Sequence, residues 1–133
     1  MKIGSVEIPT IMRLAPMAGI TNAPFRLIAR ECGSGLTTTE EMDAAALSMN
    51  TPHADAIAAY YPEERPLAMQ LLGKDPDILA RAAERLQQLG ADIVDLNMGC
   101  PMAADRNGSY TRILHTGVRR GDAASFSSSS FCS

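Results

Sequence analysis

The sequence predicts an α/β fold built on a parallel sheet, and three observations indicate it. Short apolar runs alternate with longer segments of helical periodicity up to about residue 102. Capping residues, prolines and glycines mark the change from one to the other. Strands that alternate with helices of this length imply right-handed crossovers in a parallel sheet. Four such units match the first half of a (β/α)8 TIM barrel, although a doubly wound open sheet fits the periodicity equally well.

The first predicted unit is a short strand followed by a helix. Residues 11–16 form the strand, and the helix should run from about residue 23 to residue 32, capped by Thr21 or Asn22 and ended by Gly33. The residues expected on its apolar, core-facing side are Phe25, Ile28, Ala29 and Cys32.

The second unit contains a broken helical excursion. Residues 36–40 are rich in β-branched side chains and predict the second strand. Residues 43–49 and 52–60 then predict two helical pieces, interrupted near Pro52. Residues 67–72 predict the third strand.

The helix of the third unit has the clearest signals. Asp75 caps it, Pro76 occupies its first position and Gly90 ends it. Residues 93–96 follow as the fourth strand. The apolar positions that recur at helical spacing are Ile78, Leu79, Ala82, Ala83, Leu86 and Leu89.

Composition indicates a globular chain with no obvious nucleic-acid or membrane surface. Of its 133 residues, 46% are hydrophobic and 20% are charged. Residues 1–102 carry eight basic and thirteen acidic side chains, so they offer no basic stripe. The first nine residues lack the apolar run of a signal peptide, and no segment approaches the roughly 20 apolar residues of a membrane span. We therefore expect a cytoplasmic protein with no membrane partner.

The character of the sequence changes after residue 102. Residues 103–133 contain seven serines, against three in the preceding 102 residues. Such a segment has little apolar surface to offset chain entropy, so we expect an irregular or disordered tail. The predicted organisation is a body of residues 1–102 followed by a serine-rich tail of residues 103–133.

Cys100 has the sequence context of a reactive thiol. It follows the fourth strand directly after Gly99, and the carboxyl ends of parallel strands are where catalytic side chains project. A thiol with a pKa near 8.5 is mostly protonated at neutral pH and can donate a proton. A small buried hydrophobe is the alternative. The three cysteines are odd in number and widely spaced, so no disulfide framework is expected, and Cys32 is expected in the core.

Two amides are candidates for ligand binding. Asn97 offers a donor and an acceptor, which suits the edge of a base or a flavin, but it could also satisfy its own backbone in a turn. Gln70 lies in an otherwise apolar strand, and burying an amide without partners costs roughly 1 to 3 kcal/mol. It should therefore face a ligand or a polar group of a neighbouring strand. The same two environments are possible for Glu40 and Glu41 at the end of the second strand, and one of the two is expected to be merely solvated.

The segment Pro16, Met17 and Ala18 ends the first strand in small or flexible residues. A flat ring could lie against it, and a plain tight turn is equally compatible. His53 and His115 have no partner at metal-ligand spacing, so no metal site is expected. There is also no glycine-rich dinucleotide or phosphate loop after a strand.

Taken together, these residues resemble the tRNA-dihydrouridine synthase family over roughly residues 10–102. The segments that carry the resemblance are residues 14–26 as the opening motif, 39–40 at the second strand end, 69–71 in the third strand, and 95–101 as the active-site signature.

The resemblance implies an FMN-containing barrel that reduces uridine in tRNA to 5,6-dihydrouridine, with NADPH as reductant. Residues 1–102 would then be a partial TIM-barrel FMN-binding catalytic domain. By position, the site residues would divide as follows: Pro16, Met17 and Ala18 would pack against the flavin, Gln70 would hydrogen-bond it, Asn97 would hold the uracil, and Cys100 would protonate it.

The tail departs from the family pattern, because the lysine and phosphate-binding parts expected after residue 102 cannot be located. A shifted reading frame or a truncated gene would produce this pattern, and such a chain is expected to bind FMN weakly and to be inactive alone. The alternatives are a non-catalytic fragment and another FMN-barrel oxidoreductase such as a dihydroorotate dehydrogenase.

Overall fold

The computed structural model describes residues 1–98, which form a parallel sheet covered by helices on one face and by an amino-terminal hairpin on the other. The elements in chain order are β1 (Lys2–Ile3), β2 (Val6–Glu7), α1 (Ala23–Glu31), β3 (Thr37–Asp43), α2 (Ala44–Ser48), α3 (Pro52–Ala58), a 3-10 helix (Pro62–Glu64), β4 (Leu67–Leu72), α4 (Pro76–Leu89) and β5 (Ile93–Leu96).

The sheet confirms the predicted α/β fold. Strands β3, β4 and β5 lie side by side in chain order, and both neighbouring pairs are parallel. Each strand is connected to the next through helical segments, as parallel pairing requires. The third and fourth predicted strands have the bounds that the apolar runs indicated, and α4 begins and ends where Asp75 and Gly90 predicted.

The first predicted strand is reduced to a single bridge. Arg13 pairs in parallel with Leu36, flanked by hydrogen bonds from the Leu14 amide to the Leu36 carbonyl (3.0 Å) and from the Gly35 amide to the Met12 carbonyl (2.7 Å). A turn follows soon after the bridge, with the Ile20 amide donating to the Met17 carbonyl at 3.0 Å. The chain nevertheless joins the row of parallel strands on the β3 side.

The amino-terminal hairpin was not predicted. β1 and β2 pair antiparallel, and the residue after them, Ile8, is fully buried. Ile8 packs with Leu36, Ala68 and Ile93, which lie at the beginnings of the strands or just before them. The hairpin therefore covers the amino-terminal end of this sheet face and leaves its carboxyl end for other side chains.

The larger core lies between the other sheet face and the helices. α2 and α4 pack against each other there and against β3 and β4. Its fully enclosed members are mostly aliphatic: Met42, Ala44, Leu47, Ala54, Ala58, Leu67, Met69, Leu71, Leu79, Ala82 and Leu86.

Helix α1 presents a different face to the protein from the one predicted. Its cap is Asn22, whose side chain accepts from the Phe25 amide at 3.1 Å, as expected. The buried residue is Arg26, however, while Ile28 and Cys32 are exposed. The assignment of Cys32 to the core was therefore wrong. The reason is that Arg26 finds a buried anionic partner outside the helix, and this pairing turns the apolar stripe outward.

The predicted break in the second unit is present. α2 ends at Ser48, and Asn50 adopts a left-handed backbone with φ of 54° before α3 begins at Pro52. Across residues 1–98, no helix has both the length and the apolar character to cross a membrane.

Candidate active site

A row of polar side chains crosses the sheet near the carboxyl ends of its strands. The register places Glu41 beside Gln70, and Gln70 beside Asp95. Asn97 follows Asp95 by two residues, and therefore points to the same side of the sheet. The hairpin covers the amino-terminal half of this sheet face. The four polar side chains lie on the carboxyl-terminal half of the same face.

A bulge in β3 brings Glu41 into this row. The register shifts between Thr38 and Glu41, so that two residues of β3 oppose one residue of β4. Without the extra residue, Glu40 would stand beside Gln70. The bulge is held in part by the Thr39 hydroxyl, which accepts a hydrogen bond from the Gln70 backbone amide at 3.1 Å.

The side chains of the row are connected by hydrogen bonds. Gln70 Nε2 donates to Asp95 Oδ2 at 2.6 Å, and Asn97 Nδ2 donates to Glu41 Oε2 at 2.8 Å. A longer contact of 3.4 Å joins Asn97 Nδ2 to Gln70 Oε1. The buried amide of Gln70 thus faces polar groups of neighbouring strands, which is one of the two environments expected for it.

Asp95 is the most unusual ionisable group of the row. Its side chain is buried, and Oδ1 has no hydrogen-bond partner within the described part of the chain. Burial raises the pKa of the Asp95 carboxyl above its ordinary value of 3.8, and the hydrogen bond from Gln70, the Leu96 backbone amide and the charge of Arg13 oppose the shift. A buried carboxylate oxygen without a donor is a place where a ligand N–H or O–H could bind.

The segment of Pro16, Met17 and Ala18 forms a loop at the same edge. Its backbone is fixed by Thr21, whose buried hydroxyl accepts from the Met17 amide at 3.0 Å and donates to the Met17 carbonyl at 3.2 Å. The side chain of Met17 is 37% exposed, so it is available for contact with a bound group.

Glu40 connects this loop to the sheet. Its carboxylate accepts a hydrogen bond from the Gly19 backbone amide at 2.5 Å. Glu41 is also hydrogen-bonded, so the expectation that one of the two carboxylates is merely solvated was wrong. The bulge explains the difference, because it turns Glu41 toward the site and leaves Glu40 for the loop.

Cys100, the predicted proton donor, lies outside the described residues, and so does His115. His53, for which no metal role was expected, is exposed on α3. No group of three or more potential metal ligands occurs within residues 1–98.

Comparison with known proteins identifies the family. The family model for dihydrouridine synthases matches residues 13–111. The chain belongs to the dihydrouridine synthase family. The resemblance seen in the sequence is thereby confirmed.

Curated relatives agree with this membership of the dihydrouridine synthase family. The tRNA-dihydrouridine synthase B of Pasteurella multocida is 43% identical over 101 residues, and that of Pseudomonas aeruginosa is 39% identical over 100 residues. A probable tRNA-dihydrouridine synthase of Rickettsia typhi is 36% identical over 101 residues. Each match covers about three quarters of this chain but only 30 or 31% of the relative, so the chain spans about a third of their length.

Sequence reasoning assigned no binding or positioning role to several residues that form or support this row. Asp95 carried a usable signal. It is a carboxylate inside the apolar strand Ile93–Leu96, so, like Gln70, it must face a polar partner or a ligand when it is buried. Thr21 was expected only as a possible helix cap, although its partner Met17 lies four residues away. Arg26 carried no signal, because its partner Glu64 lies 38 residues further along the chain.

Proposed function

We propose that this chain provides the first part of a flavin-dependent enzyme that reduces uridine to 5,6-dihydrouridine in tRNA, with NADPH as the reductant. The observation that carries the proposal is the connected row of Gln70, Asp95, Asn97 and Glu41 at the strand ends of a dihydrouridine synthase family member. The active-site signature of residues 95–101 begins in this row.

The residues present fit a flat polar ring such as that of FMN. Gln70 is buried, and its carbonyl accepts only one long contact within the described residues, while Asp95 Oδ1 accepts none. The loop of Pro16, Met17 and Ala18 offers partly exposed surface, and the hydrogen bond from Gly19 to Glu40 holds it near the carboxyl end of β3. In this proposal the loop would pack against the ring, and Gln70 would hydrogen-bond it. FMN, when bound, supplies hydride chemistry, and NADPH would restore its reduced form.

The remaining site residues would act on the uracil. Asn97, held by Glu41, would orient the base through its amide. Cys100, three residues further along, would hold the proton that is delivered to C5. The target uridine must leave its stack to reach a pocket of this kind.

The proposed architecture is the first half of a (β/α)8 barrel. Support comes from the parallel order β3, β4, β5 and from the bridge between Arg13 and Leu36, which adds the preceding segment on the β3 side. Enclosing a substrate would require the rest of such a barrel. We therefore expect the 133 residues, assayed alone, to bind FMN weakly and to turn over no tRNA.

Flavin binding can be tested on the chain itself. FMN fluorescence titration should give a weak dissociation constant that rises further in Gln70→Ala, because the buried amide partner of the ring is lost. Gln87→Ala is the matched control, since Gln87 is exposed on α4. Equal FMN affinity of both variants would remove Gln70 from the proposed flavin site.

Catalysis requires a complete barrel. Residues 1–111 can be joined to the carboxyl-terminal part of the Pasteurella multocida relative and expressed in cells that lack their own dihydrouridine synthases. Mass spectrometry of tRNA should then detect dihydrouridine. Cys100→Ala should lose most of the product while FMN absorbance persists, and Cys32→Ala should leave both unchanged, because Cys32 is exposed at the carboxyl end of α1. Full activity of Cys100→Ala would refute the proton-donor role.

A further inference from the structure

The two carboxylates of the site determine which way its two amides point. A carboxylate can only accept hydrogen bonds, whereas a side-chain amide has a donating NH₂ end and an accepting carbonyl end. Gln70 Nε2 lies 2.6 Å from Asp95 Oδ2, and Asn97 Nδ2 lies 2.8 Å from Glu41 Oε2. Each amide therefore directs its nitrogen toward a carboxylate.

The contact between the two amides requires the same orientation. Asn97 Nδ2 also approaches Gln70 Oε1, at 3.4 Å. If Gln70 were rotated by half a turn, its carbonyl would face the Asp95 carboxylate and its NH₂ would face the NH₂ of Asn97. Both contacts would then be repulsive, in a place where Gln70 is only 3% exposed and water cannot compensate.

We propose that Asp95 and Glu41 are positioning residues that hold Gln70 with its carbonyl oxygen as the group offered to the bound ring. This inference rests on the proposed function. A carbonyl oxygen has two acceptor positions, and within residues 1–98 only Asn97 contacts that of Gln70, so it uses one of them at most. The ring group that matches the remaining position is the N–H of an imide, an N–H flanked by two carbonyls.

Flavin and uracil both carry such an imide, so either ring could donate its N–H to the Gln70 carbonyl. Gln70 lies in β4, in the middle of the row, and the uracil is assigned to Asn97 at its edge. We therefore assign the imide of the flavin to Gln70. Asp95 would act through Gln70 and make the site selective for a ring that donates at this position.

The selectivity can be measured with FMN and with FMN methylated at the imide nitrogen, which cannot donate. The intact 133-residue chain should bind FMN about tenfold more tightly than the methylated form, the scale of one hydrogen bond. In Asp95→Asn this preference should fall toward unity, because an Asn side chain can pair with either end of Gln70. Asp77→Asn, at an exposed position in the first turn of α4, is the matched control and should keep the preference.

The outcomes separate a positioning role from a structural one. A merely structural Asp95 would weaken both ligands equally and leave their ratio unchanged, and that result would overturn the inference. Equal binding of both ligands by the unsubstituted chain would overturn it as well. Uridine and N3-methyluridine are compared in the same way. If methylation weakens the binding of uridine but not that of FMN, Gln70 binds the uracil and the assignment to flavin is wrong.

Failure of FMN to bind would count against the proposed function but would not test the orientation of Gln70. A measurement without ligand tests that orientation directly. In NMR spectra, the Gln70 side-chain NH₂ signals should shift as pH is varied through the titration of Asp95, and this shift should vanish in Asp95→Asn. Among residues 1–98, Glu41 and Arg13 also act on this row, so Glu41→Gln is recorded in parallel and should retain the shift. Gln70 signals that ignore the ionisation of Asp95 would refute the proposed orientation.

Discussion

The Arg26 guanidinium and the Glu64 carboxylate form an ion pair of 2.5 Å that joins α1 to the 3-10 helix, with both side chains almost completely buried. The remaining nitrogens of Arg26 donate to the carbonyls of Thr21 (2.7 Å) and Ala59 (2.8 Å). The second oxygen of Glu64 accepts from the Tyr61 amide at 2.7 Å. One buried pair thus connects the turn before α1 with the segment that leads into β4.

Replacing one member of this pair should be strongly destabilising. Arg26→Met leaves the Glu64 carboxylate buried without a cation, and we expect the free energy of unfolding to fall by about 3 to 5 kcal/mol. Urea unfolding followed by circular dichroism measures the change. Arg85→Met is the control, because the pair of Arg85 with Asp55 is partly exposed and 3.6 Å long, and its loss should cost within about 1 kcal/mol. Similar losses in both variants would contradict this interpretation.

Thr21 should link stability to flavin binding. Thr21→Val keeps the shape of the side chain but removes the hydroxyl that holds the Met17 amide and carbonyl. We expect a cost of about 1 to 3 kcal/mol and weaker FMN binding, because the loop of residues 16–18 loses its anchor. Thr37→Val is the matched control: Thr37 is equally buried, but its hydroxyl donates to the Glu64 carbonyl away from the loop. If both variants weaken FMN equally, the loop is not specifically held by Thr21.

The sequence correctly predicted the bounds of those helices and strands whose start and stop signals lie within their own segment. α4 has its cap, its first-turn proline and its terminal glycine within one continuous segment, and all three act as predicted. β4 and β5 are apolar runs buried by their neighbours, and their bounds follow from composition. The polar interruption at Gln70 also correctly pointed to a polar environment.

The features that the sequence did not reveal depend on partners far along the chain. Arg26 and Glu64 are 38 positions apart, and their pairing decides which face of α1 is buried. The bulge in β3 depends on pairing with β4, and it alone places Glu41 opposite Gln70. No periodicity within a short window contains that information, because hydrophobic patterning cannot identify the partner of a buried charge.

Gly90 should be less replaceable than Gly33, although both have positive φ. Gly90 has φ of 101°, and a Cβ there would collide with the Tyr60 hydroxyl and approach Arg65 Nη2 to 3.0 Å. Gly33 has φ of 97°, and a Cβ there would meet no atom within 4 Å.

Alanine at either position carries the left-handed backbone penalty of about 1 to 2 kcal/mol. Gly90→Ala should therefore lose more unfolding free energy than Gly33→Ala, and the difference measures the collision. Urea denaturation of the two variants provides the comparison. Equal losses would show that Tyr60 moves aside without cost.

The pH dependence of stability should carry the signature of Asp95. Burial raises the pKa of its carboxyl in the folded state above the ordinary value of 3.8, so the folded chain binds this proton more tightly than the unfolded chain does. The stabilising contribution of the protonated form is complete below pH 3.8. It is lost as the pH rises to the folded-state pKa, at about 1.4 kcal/mol for each pH unit that separates the folded-state pKa from the unfolded-state pKa.

Asp95→Asn lacks this titration, so its unfolding free energy relative to the unsubstituted chain should increase with pH in that window and then level off. Chemical denaturation of both proteins from about pH 4 to about pH 8 measures the difference, with Asp77→Asn as an exposed control. A relative stability that decreases over this range would mean that Gln70 and Arg13 outweigh burial and lower the pKa. With the expected sign, the stability of Asp95→Asn relative to the unsubstituted chain rises with pH while its selectivity for the imide falls. Together these two results would identify Asp95 as a residue retained for ligand binding at a cost in stability.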